Sequence, residues 1–131
     1  MKAFEITVKA DRLAVSELLN WLADVCKQLE VSTDNTRRFA VLIEELFLNT
    51  VDHGYAGNGG PAIHYHLSNL GDNHLELVQR DQASAFDIAQ ATAQTATLER
   101  VGGLGIALIQ GMSRKVAYRR EGDVNVTTLV L

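Results

Sequence analysis

Residues 62–81 read AIHYHLSNLGDNHLELVQRD, and they carry the clearest structural pattern in the chain. Apolar and polar side chains alternate on both sides of a Gly-Asp-Asn cluster at residues 71–73. Alternation predicts a half-buried strand, and such a cluster between two alternating runs is typical of a hairpin turn. We therefore predict strands over residues 62–70 and 74–81, with Leu75 and Leu77 facing the core.

The ends of the chain extend the same architecture. Residues 3–8 alternate and predict another strand, and residues 115–120 and 124–131 predict a second hairpin around Gly122 and Asp123. Strands that are joined as hairpins pair antiparallel, so the sheet is predicted to be mostly antiparallel.

Helical patterns occupy much of the remaining chain. One begins at Asp11, and a second begins at Ser32 or Thr33 and ends near Tyr55. A short apolar helix is predicted over residues 106–112. Together these elements predict the α/β fold class, here a two-layer α+β sandwich with a mostly antiparallel mixed sheet and helices on one face.

Composition limits the kind of protein. The chain has 131 residues, 47% of them hydrophobic, and 12 Lys plus Arg against 16 Asp plus Glu give a net charge of −4. These values predict a single domain over residues 1–131. The acidic balance argues against direct nucleic-acid binding, and no apolar run approaches the roughly 20 residues that span a membrane. Without a signal-peptide core at its N-terminus, the protein is expected in the cytoplasm. The pairs Arg37-Arg38 and Arg119-Arg120 are interpreted as solvated surface.

The second long helix carries a polar stripe. Glu45 and Asn49 are four residues apart, and Asp52 and His53 follow at three and four residues beyond Asn49. An amide oxygen is a ligand suited to Mg²⁺, and a nearby carboxylate can accept a proton from an attacking hydroxyl group or water. A solvated helix face has the same spacing, so the stripe leaves both interpretations open.

A glycine cluster precedes the short apolar helix. Gly102, Gly103 and Gly105 are predicted to form a loop at its entry, where backbone N–H groups could approach a phosphate. A flexible connection is the alternative. The cluster lacks the Gly-Lys-Ser/Thr of a Walker motif, and no strand directly precedes it as in a dinucleotide fingerprint. Residues 82–101, rich in Ala, Thr and Gln, are predicted to be a mobile loop or a weak helix.

Asp81 stands at the end of a predicted strand. It has the same parity as Leu75 and Leu77, so its carboxylate is predicted to face the helices. A buried carboxylate needs a hydrogen-bond donor, and the amino group of an adenine could supply one. An aspartate that caps a turn at the strand end is the alternative.

Three short sequence motifs, called boxes, follow one another along the chain as they do in a known superfamily, which they resemble. Glu45 and Asn49 followed by His53-Gly54-Tyr55 resemble the N box of the GHKL (histidine-kinase-like) ATPases, and more narrowly that of the anti-sigma-factor serine/threonine kinases. Asp81 with Phe86-Asp87 resembles their first glycine box, and residues 102–106 resemble the second. The resemblance extends over essentially the whole chain.

The resemblance implies a Bergerat-type ATP-binding fold with a lid at about residues 82–101. Asn49 would hold Mg²⁺ against the triphosphate of ATP, and Glu45 would be the general base that activates an acceptor serine. Asp81 would accept a hydrogen bond from the adenine amino group, with Thr127 nearby. The residues implied in nucleotide binding are Asn49, Asp52, His53, Asp81, Ala83, Arg100, Gly102, Gly103, Leu104, Gly105 and Thr127.

The function that the resemblance implies is regulation of transcription by partner switching. The protein would be an ATP-binding anti-sigma factor and serine-protein kinase, whose partners are a sigma factor and an anti-anti-sigma antagonist protein. A homodimer is also implied, and contact with nucleic acid or a membrane is not.

One position departs from the family pattern. Ala83 stands where the first glycine box has a glycine. A left-handed backbone there would cost alanine about 1–2 kcal/mol. If the glycine serves instead to let adenine approach, the alanine methyl group would intrude. The alternative function is therefore a catalytically weak or inactive GHKL-like module that binds a protein partner.

Overall fold

The computed structural model describes residues 3–91 and 102–131. The strands are β1 (Ala3–Val8), β2 (Ile63–Gly71), β3 (His74–Asp81), β4 (Lys115–Glu121) and β5 (Val124–Val130). The helices are α1 (Val15–Gln28), preceded by a 3-10 turn (Arg12–Ala14), α2 (Thr33–Asn49), followed by a π-helical turn (Thr50–Gly54), and α3 (Gly102–Met112).

The strands form one sheet in the order β1-β2-β3-β5-β4, and each pairing among the described residues is antiparallel. Both predicted hairpins are confirmed. Asp72 and Asn73 have φ of 54° and 63° in the first turn, as a two-residue turn with left-handed central residues requires. Since β5 lies between β3 and β4, the last strand of the chain is an inner strand.

The core lies between the sheet and the helices. Alternate strand residues are buried, among them Tyr65, Leu67, Leu77 and Leu129, and they join Leu42 and other α1 and α2 side chains in one apolar cluster. The predicted two-layer sandwich is confirmed. No helix within residues 3–91 and 102–131 is long and apolar enough to cross a bilayer.

The predicted bounds of the second helix are confirmed, and one other helix boundary differs from the prediction. Ser32 is the N-cap of α2, with its Oγ accepting from Asn35 N at 3.2 Å, and helical structure continues past Asn49 as a π turn that ends at Gly54. The predicted start of α3 at residue 106 is wrong, because the helix begins at Gly102. Glycine weakens a helix by about 1 kcal/mol per residue, and burial of Ile106 and Ile109 in the core opposes that cost.

Candidate functional site

A cavity of about 110 Å³ lies where α2 and its π turn meet the ends of β3 and β5 and the segment that follows β3. It brings together five residues that the sequence predicted for nucleotide binding: Asn49, His53, Asp81, Ala83 and Thr127. The other lining residues are Leu46, Thr50, Gly54, Gln79, Ser84, Ala85, Phe86, Ile88 and Asn125.

The register of β3 against β5 creates the polar wall of this cavity. Gln79 lies opposite Thr127, and Asp81 lies opposite Asn125. All four side chains are buried, and all have the inward parity of Leu77. The same face of the sheet is therefore apolar in the core and polar where the two strands reach the cavity.

Asp81 is held by several donors. Its Oδ1 accepts from the backbone N of Ala83 at 3.0 Å and from Asn125 Nδ2 at 2.9 Å, and its Oδ2 accepts from Gln79 Nε2 at 2.9 Å. The predicted inward orientation is confirmed. The turn-capping interpretation also holds, because the bond to Ala83 N closes a turn directly after the strand.

A chain of buried polar groups continues behind Asp81. The Tyr65 hydroxyl donates to Gln79 Oε1 at 2.7 Å, and Gln79 Nε2 donates to Thr50 Oγ1 at 2.9 Å. Thr50 in turn donates to the carbonyl of Leu46 at 3.0 Å. Burial, followed by the negative charge of Asp81, raises the pKa of Tyr65 well above its ordinary value. Tyr65 therefore stays a neutral donor near neutral pH.

The π turn separates two residues that were predicted on one stripe. Tyr55 N donates to the carbonyl of Thr50 at 2.9 Å, five residues back instead of four. His53 remains on the cavity, but Asp52 is not among the lining residues and pairs with Arg12 at 2.6 Å. The wider turn changes the direction of each side chain after Asn49, and the role of Asp52 in nucleotide binding stays a prediction.

Glu45 meets the second glycine box. A Cβ built on Gly105 would overlap Glu45 Oε2, so this carboxylate lies directly against the backbone of the first turns of α3. Gly102 and Gly103 also lie in the first turn of α3 and not in a loop before it. The Leu104 side chain and Arg100 lie outside the described residues.

Ala83 has an ordinary backbone. Among the described residues, the non-glycine positions with positive φ are Glu30, Ala56, Asp72 and Asn73, so the left-handed interpretation of position 83 is wrong. The methyl group lines the cavity and faces Gly54, where an added Cβ would lie 2.7 Å from it. The next residue, Ser84, donates its backbone N–H to the carbonyl of Gly54 at 3.3 Å.

The first half of the predicted lid is anchored. Asp87 Oδ1 accepts from the backbone N of Ala89 at 3.0 Å, and Gln110 Nε2 of α3 donates to the carbonyls of Ile88 and Ala91 at 2.8 and 2.6 Å. Residues 82–91 thus form a loop with turns that is attached to α3, as the loop prediction expects, and not a helix. The remainder of the predicted lid, residues 92–101, lies outside the described residues.

Several polar residues of the cavity and its surroundings were not predicted from the sequence, notably Gln79 and Asn125, which line the cavity, and Arg120, which contacts Asn125. Gln79 had a usable signal, because a glutamine at the parity of Leu75 and Leu77 is a polar residue on the inward face. Asn125 and Arg120 had none, since their partners follow from the register of distant strands.

The comparisons with known proteins define the class of protein. The family model of the histidine kinase-like ATPase domain matches residues 8–131. The chain belongs to this family, and the resemblance to GHKL ATPases is confirmed.

Two bacterial serine-protein kinases are similar to the chain over most of its length. The chain is 23% identical over 131 residues to the serine-protein kinase RsbW of Halalkalibacterium halodurans, covering 94% of this chain and 79% of that protein. It is 23% identical over 133 residues to the serine-protein kinase RsbW of Staphylococcus epidermidis, covering 95% and 84%.

Two solved structures share the fold. The structure of the RsbU and RsbW domains of Rv1364c from Mycobacterium tuberculosis superposes with a TM-score of 0.72 at 16% identity, covering 99% of this chain and 32% of that one. A chain of the SiaB–SiaC complex from Pseudomonas aeruginosa superposes with a TM-score of 0.72 at 13% identity, covering 98% and 88%.

Proposed function

We propose that this protein is an ATP-binding anti-sigma factor and serine-protein kinase, which regulates transcription by partner switching and phosphorylates a serine of an anti-anti-sigma antagonist. Membership of the histidine kinase-like ATPase family and the RsbW relatives support this function. The observation that carries it is that three separate elements contribute Asn49, Asp81 and Thr127 to one cavity.

The strand end of the cavity suits an adenine base. Among the described residues, Asp81 Oδ2 accepts one hydrogen bond, from Gln79, and a carboxylate oxygen can accept two. The remaining lone pair can accept from the amino group of adenine, with Thr127 beside it. Leu46, Phe86 and Ile88 supply apolar surface for the faces of the ring.

The helix end of the cavity suits the phosphates. Asn49 lines the cavity one turn beyond Glu45, and its amide oxygen is a fitting ligand for Mg²⁺, which takes few protein ligands when it binds together with phosphates. When bound, Mg²⁺ would supply positive charge against the developing charge of the phosphates. The N-terminal turn of α3 adds backbone N–H groups, which favour anions.

Glu45 is the proposed general base. Its carboxylate accepts the proton of the serine hydroxyl group while the serine oxygen bonds to the γ-phosphorus of ATP. The bond between that phosphorus and the β–γ bridging oxygen breaks, and ADP leaves with the electron pair. The contact of Glu45 with Gly105 keeps the carboxylate beside the N-terminal turn of α3.

Two variants test these roles separately. Asn49→Ala is expected to abolish Mg²⁺-dependent binding of ATP and ADP in calorimetric titrations, because it removes the metal ligand. Glu45→Ala is expected to bind both nucleotides like the parent and to transfer no γ-phosphate to an antagonist protein. Glu44→Ala, on the same helix, is the matched control and retains both properties. Parent-like binding and transfer by both variants would show that these residues are not the site.

A protein-binding module without phosphate transfer is the second candidate function. The Ala83 methyl group favours it, because this group lines the cavity where the family has a glycine. In that case the parent protein binds no nucleotide at millimolar concentration. It still binds an antagonist protein tightly, and Glu45→Ala leaves that affinity unchanged.

We further propose that the protein works as a homodimer in the cytoplasm and that a sigma factor is its second partner. Sedimentation equilibrium of the purified protein would measure the oligomeric state, with a mass near 29 kDa expected, about twice the 14.4 kDa of the chain.

A further inference from the structure

The last hairpin of the chain carries a side-chain cluster that reaches the cavity from behind. Asn125 of β5 is buried, and its Oδ1 accepts from two donors of β4, the Tyr118 hydroxyl group and Arg120 Nη1, the latter at 2.8 Å. These two donors fix the oxygen of the Asn125 amide on the side of β4.

The nitrogen of the same amide faces acceptors. Asn125 Nδ2 lies 2.9 Å from Asp81 Oδ1 and 3.1 Å from each of the carbonyl oxygens of Ala83 and Ser84. The reversed amide would place its oxygen against a carboxylate and two carbonyls, and its NH₂ group against two donors. The surroundings therefore select one orientation.

Arg120 acts on the same segment directly. Its Nη1 donates to the carbonyl of Ala83 at 3.2 Å, so the guanidinium group holds both the Asn125 amide and the chain that follows β3. Its neighbour Arg119 has the opposite parity on β4 and forms an exposed ion pair with Glu121 at 3.3 Å. The two adjacent arginines thus differ in what they contact.

We propose that Arg120 and Asn125 are positioning residues for base recognition: they hold Asp81 and the Ala83–Ser84 backbone so that one Asp81 oxygen stays available to an amino group in the cavity. Asn125 and Ala83 N occupy Oδ1 of Asp81, which leaves Oδ2 with one bond from Gln79 among the described residues. Base recognition rests on the proposed function, whereas the positioning itself does not.

Calorimetric titration with ADP and with inosine diphosphate tests base recognition, because inosine carries a carbonyl where adenine carries the amino group. Arg120→Ala is expected to bind ADP roughly tenfold more weakly than the parent, the loss of about one hydrogen bond to a charged group, with inosine diphosphate affinity unchanged. Arg119→Ala, the matched control, keeps the parent's preference for ADP. An equal loss for both nucleotides, or no loss, would overturn the assignment.

Hydrogen exchange measured by NMR on the nucleotide-free protein tests the positioning. The Asn125 side-chain amide and the Ala83 backbone N–H are expected to be protected in the parent and in Arg119→Ala, and to exchange about tenfold faster in Arg120→Ala and in the milder Tyr118→Phe. Unchanged exchange in both variants overturns the inference. If the parent binds neither nucleotide but the exchange rates change as expected, the proposed function fails and the positioning stands.

Discussion

Several polar side chains near the cavity contact more than one neighbour. Gln79 links Tyr65 and Thr50 to Asp81, and Asn125 links Arg120 to the same carboxylate. Because all of these groups except the exposed Arg120 are buried, removing a single partner leaves a buried polar atom without compensation, which costs about 1–3 kcal/mol. At the residue scale, the site is therefore held by a network more than by any single bond.

Gly105 makes room for Glu45, and a residue-scale prediction follows. Gly105→Ala places a methyl group against the end of the Glu45 side chain, which is flexible and can move away. We expect a free energy of unfolding within about 1 kcal/mol of the parent, but phosphate transfer slower by about a hundredfold, because a displaced general base loses its alignment. Urea unfolding and transfer of labelled γ-phosphate to an antagonist protein measure the two quantities.

Gly111 is the matched control on the same helix. A Cβ built there meets nothing within 4 Å. Gly111→Ala is expected to raise the free energy of unfolding by about 0.5–1 kcal/mol and to leave transfer unchanged. Equal transfer rates in the two variants would contradict the placement of Glu45.

At the element scale, the site depends on how the π turn meets the segment after β3. Gly54 and Ala83 face each other across this contact, and the bond from Ser84 N to the Gly54 carbonyl joins the two chains. The methyl group that departs from the family pattern at position 83 is thus accommodated by a glycine on the opposing element.

A double-mutant cycle tests this complementarity between elements. Gly54→Ala is expected to lower the free energy of unfolding by about 1–3 kcal/mol, because its methyl group would lie 2.7 Å from that of Ala83. In a protein that already carries Ala83→Gly, Gly54→Ala is expected to lower the free energy of unfolding by clearly less. The coupling free energy between the two positions is then at least about 0.5 kcal/mol. Additive effects in urea unfolding would mean that the two positions do not share the space.

Element boundaries were predictable where the pattern is local. The hairpin over residues 62–81 and the N-cap at Ser32 follow from alternation and capping preferences. The π turn after Asn49 and the helical start at Gly102 were not predictable, because both depend on the packing of α2 against α3 and the sheet and oppose local propensity.

At the scale of the whole molecule, burial of ionisable groups makes stability depend on pH. Burial raises the pKa of Cys26 above its ordinary value, and a hydrogen bond with Thr36 opposes this effect only in part. Burial and the negative charge of Asp81 raise the pKa of Tyr65 well above its ordinary value. The unfolded chain releases these protons near its ordinary pKa values of about 8.5 and 10, while the folded protein retains them. Stability is therefore fully present below these values and is lost as the pH rises above them.

Urea unfolding between pH 7 and pH 11 measures this loss. The free energy of unfolding is expected to fall with a slope of up to about 1.4 kcal/mol per pH unit for each such group, beginning near pH 8.5 and steepening above pH 10. Tyr65→Phe is expected to be less stable at pH 7, because the bond to Gln79 is lost, and to show a smaller slope above pH 10. A variant with the parent's slope would exclude Tyr65 as a source.

The sequence alone was sufficient to predict the local elements and the inward orientation of Asp81. The order of the three boxes was also sufficient to predict the family. These features depend on residue type and on short spacings, which the chain carries wherever it folds. Tertiary structure decided that β5 pairs with β3, so that Asn125 and Thr127 stand opposite Asp81 and Gln79. It also decided that Asp52 pairs with Arg12 and that Ala83 has an ordinary backbone. Such outcomes depend on contacts between residues far apart in the chain, and no local pattern specifies them.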